Sequence, residues 1–382
     1  MTVSNPIFEI EQTYGQSIWM DNLSRDVLQS GELQRMIDTR GIVGITSNPA
    51  IFEKAIKGNK IYDTDIEAGI RAGKPILEIY ESLVFEDIRN ACDILRPVYE
   101  KSNGLDGYVS IEVTPTIAND TAKTIAEAKR YFTTLDRPNV MIKIPGTREG
   151  LPAVEESIYQ GINVNVTLLF SVESYIDSAW AYIRGLEKRA AEGKDISKIA
   201  SVASFFLSRI DTNIDHRIHE KLTGVDRIER KVKLLEVKGK VAIANAKIAY
   251  QKSKEIYASD RWKALAEKGA KVQRLLWAST GTKNPEYSDV MYVDELIGRD
   301  TINTLPPATI EACADHCHPG DRIESHVELA YNLIENLQDP DIDIDLDAVM
   351  EELLLDGIEK FVTPFQSLLN SLEEKARKLA PV

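Results

Sequence analysis

The stretch NVMIKIPGT, residues 139–147, places one lysine inside an apolar run. The large apolar residues that predict a buried β-strand here are Val140, Met141, Ile142 and Ile144. An isolated ammonium group is costly to remove from water, so Lys143 must pair with another group, reach solvent or lose its proton. Lys143 is therefore the first candidate functional residue, and its role depends on the fold around it.

Short β-rich runs with helical patterns between them extend on both sides of this strand. The predicted strands are residues 17–23, 41–49, 107–115, 139–147, 162–170, 198–206, 272–280 and 300–306. Their alternation with helices indicates a parallel sheet, and their number matches a (β/α)8 TIM barrel. The alternative, an open doubly wound sheet, would have a Gly-rich phosphate loop after its first strand. The sequence there is WMDNLSRD, which favours the barrel.

Helical patterns connect these strands, for example at residues 31–39, 119–135 and 171–192. Two connections are longer than a barrel requires. We predict two helices in residues 50–106 and a charged helical segment in residues 211–271. We interpret both as helical insertions on a single barrel domain that spans residues 1–382, with residues 307–382 as a C-terminal helical extension.

The composition is that of a globular protein with a large core, since 43% of the 382 residues are hydrophobic and 28% are charged. A net charge of −14 argues against nucleic acid or an anionic membrane as partner, but a few local cations can still bind a phosphate. The three cysteines and the absence of a secretory signal at the N-terminus predict a cytoplasmic protein. No apolar run is long enough to predict a membrane span.

Polar residues recur at the carboxyl ends of the predicted strands, where TIM-barrel active sites lie. They are Asp21, Thr46, Asn48, Glu112, Lys143, Asn165, Thr167, Ser204, Ser279, Thr280 and Asn303. A single Ser, Thr or Asn there is explained by turn chemistry, and Asp21 also fits a helix cap. Glu112 is harder to explain because Glu is depleted in strands. Two acids and a lysine at three strand ends of one barrel together indicate an active site.

A lysine with two carboxylates in a half-buried barrel mouth suggests Schiff-base chemistry, with a snorkelling lysine as the alternative. The amine must be neutral to attack a carbonyl, and desolvation favours the neutral form of a lysine. A nearby carboxylate favours the ammonium form instead. It helps the reaction only where it can accept and return protons.

Four motifs in this chain resemble the transaldolases, especially their longer bacterial form. They are GITSNPAIF (44–52), VMIKIPGT (140–147), GINVNVTLLF (161–170) and SFFLSRID (204–211). The resemblance implies a class I aldolase-like (β/α)8 barrel of the non-oxidative pentose phosphate pathway. Such an enzyme transfers a dihydroxyacetone unit from sedoheptulose 7-phosphate to glyceraldehyde 3-phosphate, which gives erythrose 4-phosphate and fructose 6-phosphate. The resemblance implies no metal and no organic cofactor.

The same resemblance implies a role for each candidate residue. Lys143 would form the Schiff base, and Asp21 would take the proton of the C4 hydroxyl during C–C cleavage. Glu112 and Thr167 would position a water for dehydration of the carbinolamine. The implied substrate-binding residues are Asn48 and Asn165 for sugar hydroxyls, Thr46, Ser204 and Phe206 for the pocket wall, and Arg209 and Ser279 for the phosphate.

The chain departs from the family pattern at the phosphate site. Shorter members have a phosphate-binding arginine two positions after the serine that matches Ser279, and this chain has Gly281 there, within STGTKNP. We expect Lys283 to replace the arginine as a point charge, with close backbone approach at Gly281. Lysine lacks the planar fork of arginine, so the two are not equivalent at a phosphate.

Two alternatives to a transaldolase stay open at this stage. One is a fructose 6-phosphate aldolase-type lyase that releases dihydroxyacetone, and the other is a non-catalytic sugar-phosphate-binding barrel. Glu112 and the long connections favour transfer, while the combination of Lys143, Asp21 and Glu112 argues for catalysis. Sugar phosphates are the expected partners, and the sequence leaves both a monomer and a homodimer open.

Other clusters predict no additional site. CADHCH (313–318) groups two cysteines and two histidines but lacks the distant second pair of a zinc site, so no metal is expected. The acidic segment 339–352 lacks the glycine of an EF-hand loop and contains Pro340. The C-terminal helix has apolar residues at helical spacing, which predicts a core face. The alternative is a lid that brings Phe361 or Phe365 near the substrate.

Overall fold

Eight parallel strands close into a barrel in chain order, each paired with the next and the last with the first. The structure, a computed structural model, describes residues 5–379. The strands are β1 Gln16–Asp21, β2 Ile45–Thr46, β3 Val109–Glu112, β4 Val140–Pro145, β5 Val164–Leu169, β6 Ser201–Phe206, β7 Arg274–Ala278 and β8 Thr301–Leu305. Every predicted strand is present, so the predicted (β/α)8 TIM barrel is confirmed.

The observed strands are shorter than the predicted runs, and β2 differs most because it retains only Ile45–Thr46 of residues 41–49. The backbone at Gly44 lies directly against the indole ring of Trp19 in β1. A Cβ atom at this position would be 2.4 Å from that ring, so only glycine fits. The chain that leads into β2 is therefore shaped by the packing of a large β1 side chain, while its backbone still bonds to β1 through Val43 N to Ile18 O at 3.0 Å and Met20 N to Gly44 O at 2.9 Å.

Helices surround the barrel. Within the described residues they are α1 Pro6–Tyr14, α2 Arg25–Gln29, α3 Glu32–Arg40, α4 Pro49–Ile56, α5 Asp63–Arg71, α6 Ile76–Lys101, α7 Thr121–Leu135, α8 Gly150–Tyr159, α9 Val172–Ala191, α10 Ser208–Leu222, α11 Ile228–Val237, α12 Val241–Tyr257, α13 Asp260–Ala266, α14 Met291–Asp294, α15 Pro307–His316, α16 Val327–Asn336 and α17 Leu346–Leu379. None of these helices is both long and apolar enough to cross a membrane.

The first long connection contains three α-helices, α4 to α6, so the prediction of two helices there was wrong. The reason is local: Gly58 follows α4 at φ 75° and Gly73 follows α5 at φ 69°, and this left-handed conformation ends a helix. Residues 211–271 are helical as predicted, over α10 to α13. The interpretation of these two ranges as insertions stays a prediction.

The amino-terminal end of the barrel is closed by a buried ion pair. The Arg274 Nη2 atom of β7 lies 2.9 Å from Asp106 Oδ1, and both side chains are less than a tenth exposed. Asp106 also accepts hydrogen bonds from Ser17 Oγ at 2.8 Å and Trp19 Nε1 at 2.9 Å. Ser17 Oγ in turn accepts from Arg274 Nη1 at 2.9 Å. The network joins β1, β7 and the segment before β3, and each charged group has several partners.

Removal of one member of this pair should destabilise the protein strongly. We expect Asp106→Ala to lower the free energy of unfolding by about 3–5 kcal/mol, because it leaves the Arg274 guanidinium buried without its countercharge. As a control, Glu311→Ala removes the exposed partner of Arg40, which lies 2.7 Å away, and should cost at most about 1 kcal/mol. Urea unfolding at neutral pH measures both variants. Equal losses in the two variants would contradict this interpretation.

Candidate active site

Three polar side chains lie side by side on neighbouring strands near the carboxyl end of the barrel. Glu112 of β3 is in register with Lys143 of β4, and Lys143 is in register with Asn165 of β5. Lys143 is only 4% exposed, and its Nζ donates a hydrogen bond to the carbonyl oxygen of Ser47 at 2.9 Å. The buried lysine is therefore held by an oxygen atom of the segment that follows β2.

Asp21, at the end of β1, is held by a chain of hydroxyl groups. Its Oδ1 accepts a hydrogen bond from Thr46 Oγ1 at 2.7 Å, and Thr46 Oγ1 lies 2.7 Å from Thr304 Oγ1. Because Thr46 has one hydroxyl proton and gives it to the carboxylate, Thr304 donates to Thr46. Burial raises the pKa of Asp21, while the charge of Lys143 and the bond from Thr46 lower it. These opposing effects suit a carboxyl group that exchanges protons.

Glu112 and Thr167 carry buried polar atoms that no protein group satisfies. Among residues 5–379, neither carboxylate oxygen of Glu112 nor the hydroxyl of Thr167 has a hydrogen-bond partner. Burial raises the pKa of Glu112 to about 7, against the lowering effect of the Lys143 and Arg209 charges. Buried polar atoms are nearly always paired, so these atoms are available to bind substrate or solvent.

A local irregularity in β5 accompanies Thr167. The pairing register with β6 shifts between Val166 and Leu169, and Leu168 has φ 59°, a strained value for a non-glycine residue. Thr167 lines the cavity, whereas the Leu168 side chain lies against α17, where a Cβ at Gly357 would be 2.9 Å from Leu168 Cδ2. The strain therefore directs consecutive side chains to the cavity and to the C-terminal helix.

The two candidate asparagines differ in their surroundings. Asn48 is the N-cap of α4, where its Oδ1 accepts from Ile51 N at 3.0 Å, so its amide nitrogen stays available to the cavity that it lines. Asn165 is fully buried, donates to Ser110 Oγ at 3.1 Å and accepts from Ser204 Oγ at 2.7 Å. Asn165 therefore supports Ser204 from beneath the cavity.

A cavity of about 180 Å³ opens above these residues. The candidate residues that line it are Asp21, Thr46, Asn48, Lys143, Thr167, Ser204, Phe206, Arg209, Ser279 and Lys283. Glu112 and Asn165 are not part of its wall.

The sequence prediction missed Ala278, Thr304 and Pro306, which also line the cavity. It selected Asn303 in β8, whose amide donates instead to the carbonyl of Tyr292 at 3.1 Å. The alternation of side chains along a strand could have pointed to Thr304 once the inward face was known.

Two cations besides Lys143 line the cavity, Arg209 and Lys283. The Arg209 guanidinium lies over the ring of Phe206 at 5.3 Å and over that of Phe361 at 5.9 Å. Its Nη1 has no hydrogen-bond partner in the described part of the chain. Lys283 Nζ lies 3.9 Å from the position that a Cβ at Gly281 would take, so it fills the space beside the glycine. Ser279 also lines the cavity, with its Oγ 2.7 Å from Ser208 Oγ.

The C-terminal helix contributes to the cavity wall through Phe361. Phe361 and Phe365 are both buried, so the predicted core face of α17 is confirmed. Only Phe361 lines the cavity, whereas Phe365 packs edge-on against Tyr80 at 5.3 Å. The cysteine and histidine cluster CADHCH (313–318) does not line this cavity. Across residues 5–379, no three His, Cys, Asp or Glu side chains are placed to hold a metal ion.

Comparisons with known proteins identify the family of this chain. The family model described as transaldolase/fructose-6-phosphate aldolase matches residues 18–372. The chain belongs to this family. It is 72% identical over 379 residues to a protein named transaldolase 2 from Nostoc sp., with 99% of each chain covered. It is 69% identical to a transaldolase from Trichodesmium erythraeum and 43% identical to one from Mycobacterium marinum, with all of each chain covered. The resemblance stated from the motifs is confirmed.

The buried Glu112 should make the stability of this protein depend on pH. The carboxyl pKa rises from 4.5 to about 7 on folding, so the unfolded chain loses this proton first. The contribution of Glu112 to the free energy of unfolding is complete below pH ~4.5 and is lost as the pH rises through about 7. Each tenfold difference in proton affinity between the folded and unfolded chains corresponds to roughly 1.4 kcal/mol. We therefore expect the free energy of unfolding of the wild type to fall more between pH 5 and 8 than that of Glu112→Gln.

Denaturant unfolding at both pH values measures this difference, because Gln mimics the protonated acid at every pH. The matched control is Glu335→Gln on the exposed surface of α16, which should keep the pH dependence of the wild type. An equal pH dependence in Glu112→Gln and the wild type would show that Glu112 titrates alike in the folded and unfolded chains.

Proposed function

We propose that this protein is a transaldolase that transfers a dihydroxyacetone unit from sedoheptulose 7-phosphate to glyceraldehyde 3-phosphate, through a Schiff base on Lys143. The observation that carries the proposal is the buried amine of Lys143 at a cavity that also contains Asp21, with Glu112 in register beside it. Besides Lys143, the cations Arg209 and Lys283 line this cavity on a protein whose net charge is −14. Two such cations suit a phosphate group and not a neutral sugar.

The residue types fit each step of the reaction. The Lys143 amine attacks the ketose carbonyl and forms a carbinolamine, which loses water to give an iminium. We assign Glu112 and Thr167 to the proton transfers of this dehydration, because their polar atoms have no other partner among the described residues. Glu112 has a pKa of about 7, so it can both donate and accept a proton near neutral pH.

Cleavage then uses the iminium as an electron sink. Asp21 takes the proton of the C4 hydroxyl while the C3–C4 bond breaks, which releases an aldehyde and leaves an enamine on Lys143. When the acceptor aldehyde binds, the enamine carbon attacks it and Asp21 returns the proton to the new hydroxyl. The bond from Thr46 keeps the Asp21 carboxylate oriented through both transfers. Positioned proton transfer of this kind typically contributes about 10²- to 10⁴-fold.

Neutral side chains can bind the sugar without altering the charge balance of the acid and base. We assign the Asn48 amide and the Ser204 hydroxyl to sugar hydroxyls, with Asn165 holding Ser204 in place. Thr46 and Phe206 belong to the wall. The phosphate would bind between Arg209 and Lys283, next to Ser279. This assignment requires no metal and no organic cofactor.

The main test is borohydride trapping in the presence of fructose 6-phosphate, followed by peptide mass spectrometry. We expect a reduced dihydroxyacetone adduct on Lys143 and loss of activity. Lys247→Met provides a matched control, because Lys247 is as buried as Lys143, at 5% against 4%, but donates to the carbonyl of Ser325 away from the cavity. That variant should still be labelled at Lys143.

The outcomes of this experiment separate the alternatives. An adduct on another lysine, or no adduct at all, would overturn the assignment and favour a binding protein. If Lys143 is labelled, a parallel incubation with erythrose 4-phosphate and without borohydride should convert the bound dihydroxyacetone unit into sedoheptulose 7-phosphate. Release of free dihydroxyacetone at the same rate with and without this acceptor would instead identify a lyase.

The phosphate assignment predicts a specific effect of Lys283. We expect Lys283→Met to raise the KM for fructose 6-phosphate about 10- to 100-fold with little change in kcat, because the variant loses one hydrogen bond from a charged group to the phosphate. Because a side chain at Gly281 would enter the same space, the double variant Gly281→Arg/Lys283→Ala should recover part of this loss. The control is Lys198→Met, on the exposed surface before β6. An unchanged KM in Lys283→Met would place the phosphate elsewhere.

Further aspects of the function are expectations from composition and family. We place the enzyme in the cytoplasm, with sugar phosphates as its partners and with no nucleic acid or membrane among them. Both a monomer and a homodimer are compatible with the proposed reaction, because every residue assigned to it belongs to one chain. Sedimentation at micromolar concentration would decide between these states.

A further inference from the structure

The side chain of Phe361 contacts two cations of the proposed active site. Its ring centroid lies 5.9 Å from Lys143 Nζ and 5.9 Å from the guanidinium carbon of Arg209. Both distances fall within the limit of about 6 Å for a cation–π contact. Phe361 comes from α17, whereas both cations belong to the barrel. The C-terminal helix therefore contacts the proposed nucleophile and the proposed phosphate ligand through one residue.

The Arg209 guanidinium is in contact with two aromatic rings. The Phe206 ring lies 5.3 Å from the guanidinium carbon, and the Phe361 ring provides the second contact. Among the described residues, Arg209 Nη1 has no hydrogen-bond partner. The rings can orient the guanidinium plane without using its N–H donors. Those donors stay available to a phosphate.

Several contacts fix the position of α17 over the barrel mouth. Near Phe361, the helix backbone at Gly357 approaches so closely that a Cβ would be 2.9 Å from Leu168 Cδ2 and 3.5 Å from Arg209 Nη1. Further along, Ser367 Oγ donates to Glu53 at 2.6 Å and accepts from Lys57 Nζ at 2.9 Å. The helix is thus anchored to the barrel and to α4, so the Phe361 ring has a defined position.

We propose that Phe361 is a positioning residue that determines how this enzyme recognises phosphorylated donors. Its ring and that of Phe206 hold the Arg209 guanidinium so that the N–H donors face the substrate phosphate. The same ring covers Lys143 and limits the access of water to the enamine. This inference rests on the proposed transaldolase function, and it adds a specificity role for the C-terminal helix that the reaction itself does not require.

The covering role concerns the fate of the enamine. Attack on an acceptor aldehyde completes the transfer. Alternatively, the enamine carbon takes a proton from solvent and one water adds to the resulting iminium, which returns dihydroxyacetone and the free amine. A wall that keeps water away from Lys143 favours transfer over release. Phe361 provides part of this wall because it is 3% exposed and lines the cavity.

Two substitutions separate these roles. Phe361→Leu keeps an apolar cover but removes the aromatic face, whereas Phe361→Ala removes both. The donor concentration that gives half-maximal borohydride labelling of Lys143 is measured for fructose 6-phosphate and for unphosphorylated fructose, an assay that needs no turnover. We expect Phe361→Leu to raise this concentration about tenfold more for the phosphorylated donor than for fructose, because the lost cation–π contact with Arg209 concerns only the phosphate, whereas the lost contact with Lys143 affects both donors alike. Phe361→Ala should also increase dihydroxyacetone release relative to transfer.

The matched control is Phe365→Leu, which removes a phenyl ring of similar burial, 4% against 3%, from the next turn of the same helix. It should change neither donor preference nor release, although it should lower stability. If Phe361→Leu weakens both donors equally, or neither, Phe361 has no role in phosphate recognition and the inference is wrong. If the wild type is not labelled at Lys143 at all, the proposed function itself fails, so the two failures are distinguishable.

Discussion

The burial of the Lys143 amine is the constraint on which the carboxyl end of this barrel depends. A cation in a nearly waterless site is tolerated only where oxygen atoms of neighbouring elements face it. The carbonyl of Ser47 accepts its hydrogen bond, and Glu112 is in register beside it. Asp21 lines the same cavity from β1. Because these oxygens come from three different βα units, the environment of the lysine exists only when the barrel is closed.

The two ends of the barrel differ in how their polar groups are satisfied. At the amino end, Asp106 and Arg274 share several hydrogen bonds and are buried, which suits a role in stability. At the carboxyl end, Glu112 and Thr167 have polar atoms with no partner within residues 5–379, and Leu168 has a strained backbone. Unsatisfied groups and strain are costly, so they persist where binding or chemistry uses them.

Several candidate site residues could be selected from the sequence because each breaks a local rule. Lys143 and Glu112 interrupt apolar strands, and the position of a residue at a strand end is readable from the chain itself. Thr304 could not be distinguished from Asn303 in this way, because both end the same strand and only the inward face of β8 separates them. Phe361 was an open alternative, since an apolar position on a helix predicts burial but not which group it covers.

The sequence was enough to predict the eight-stranded barrel and the family and to propose Lys143, Asp21 and Glu112 as candidate site residues, because periodicity and residues close in the chain indicate them. Only the folded structure shows that Asn165 supports Ser204 and that α17 brings Phe361 over Lys143. These last contacts join residues far apart in sequence. Their geometry depends on strand register and on helix docking, and no local pattern encodes either.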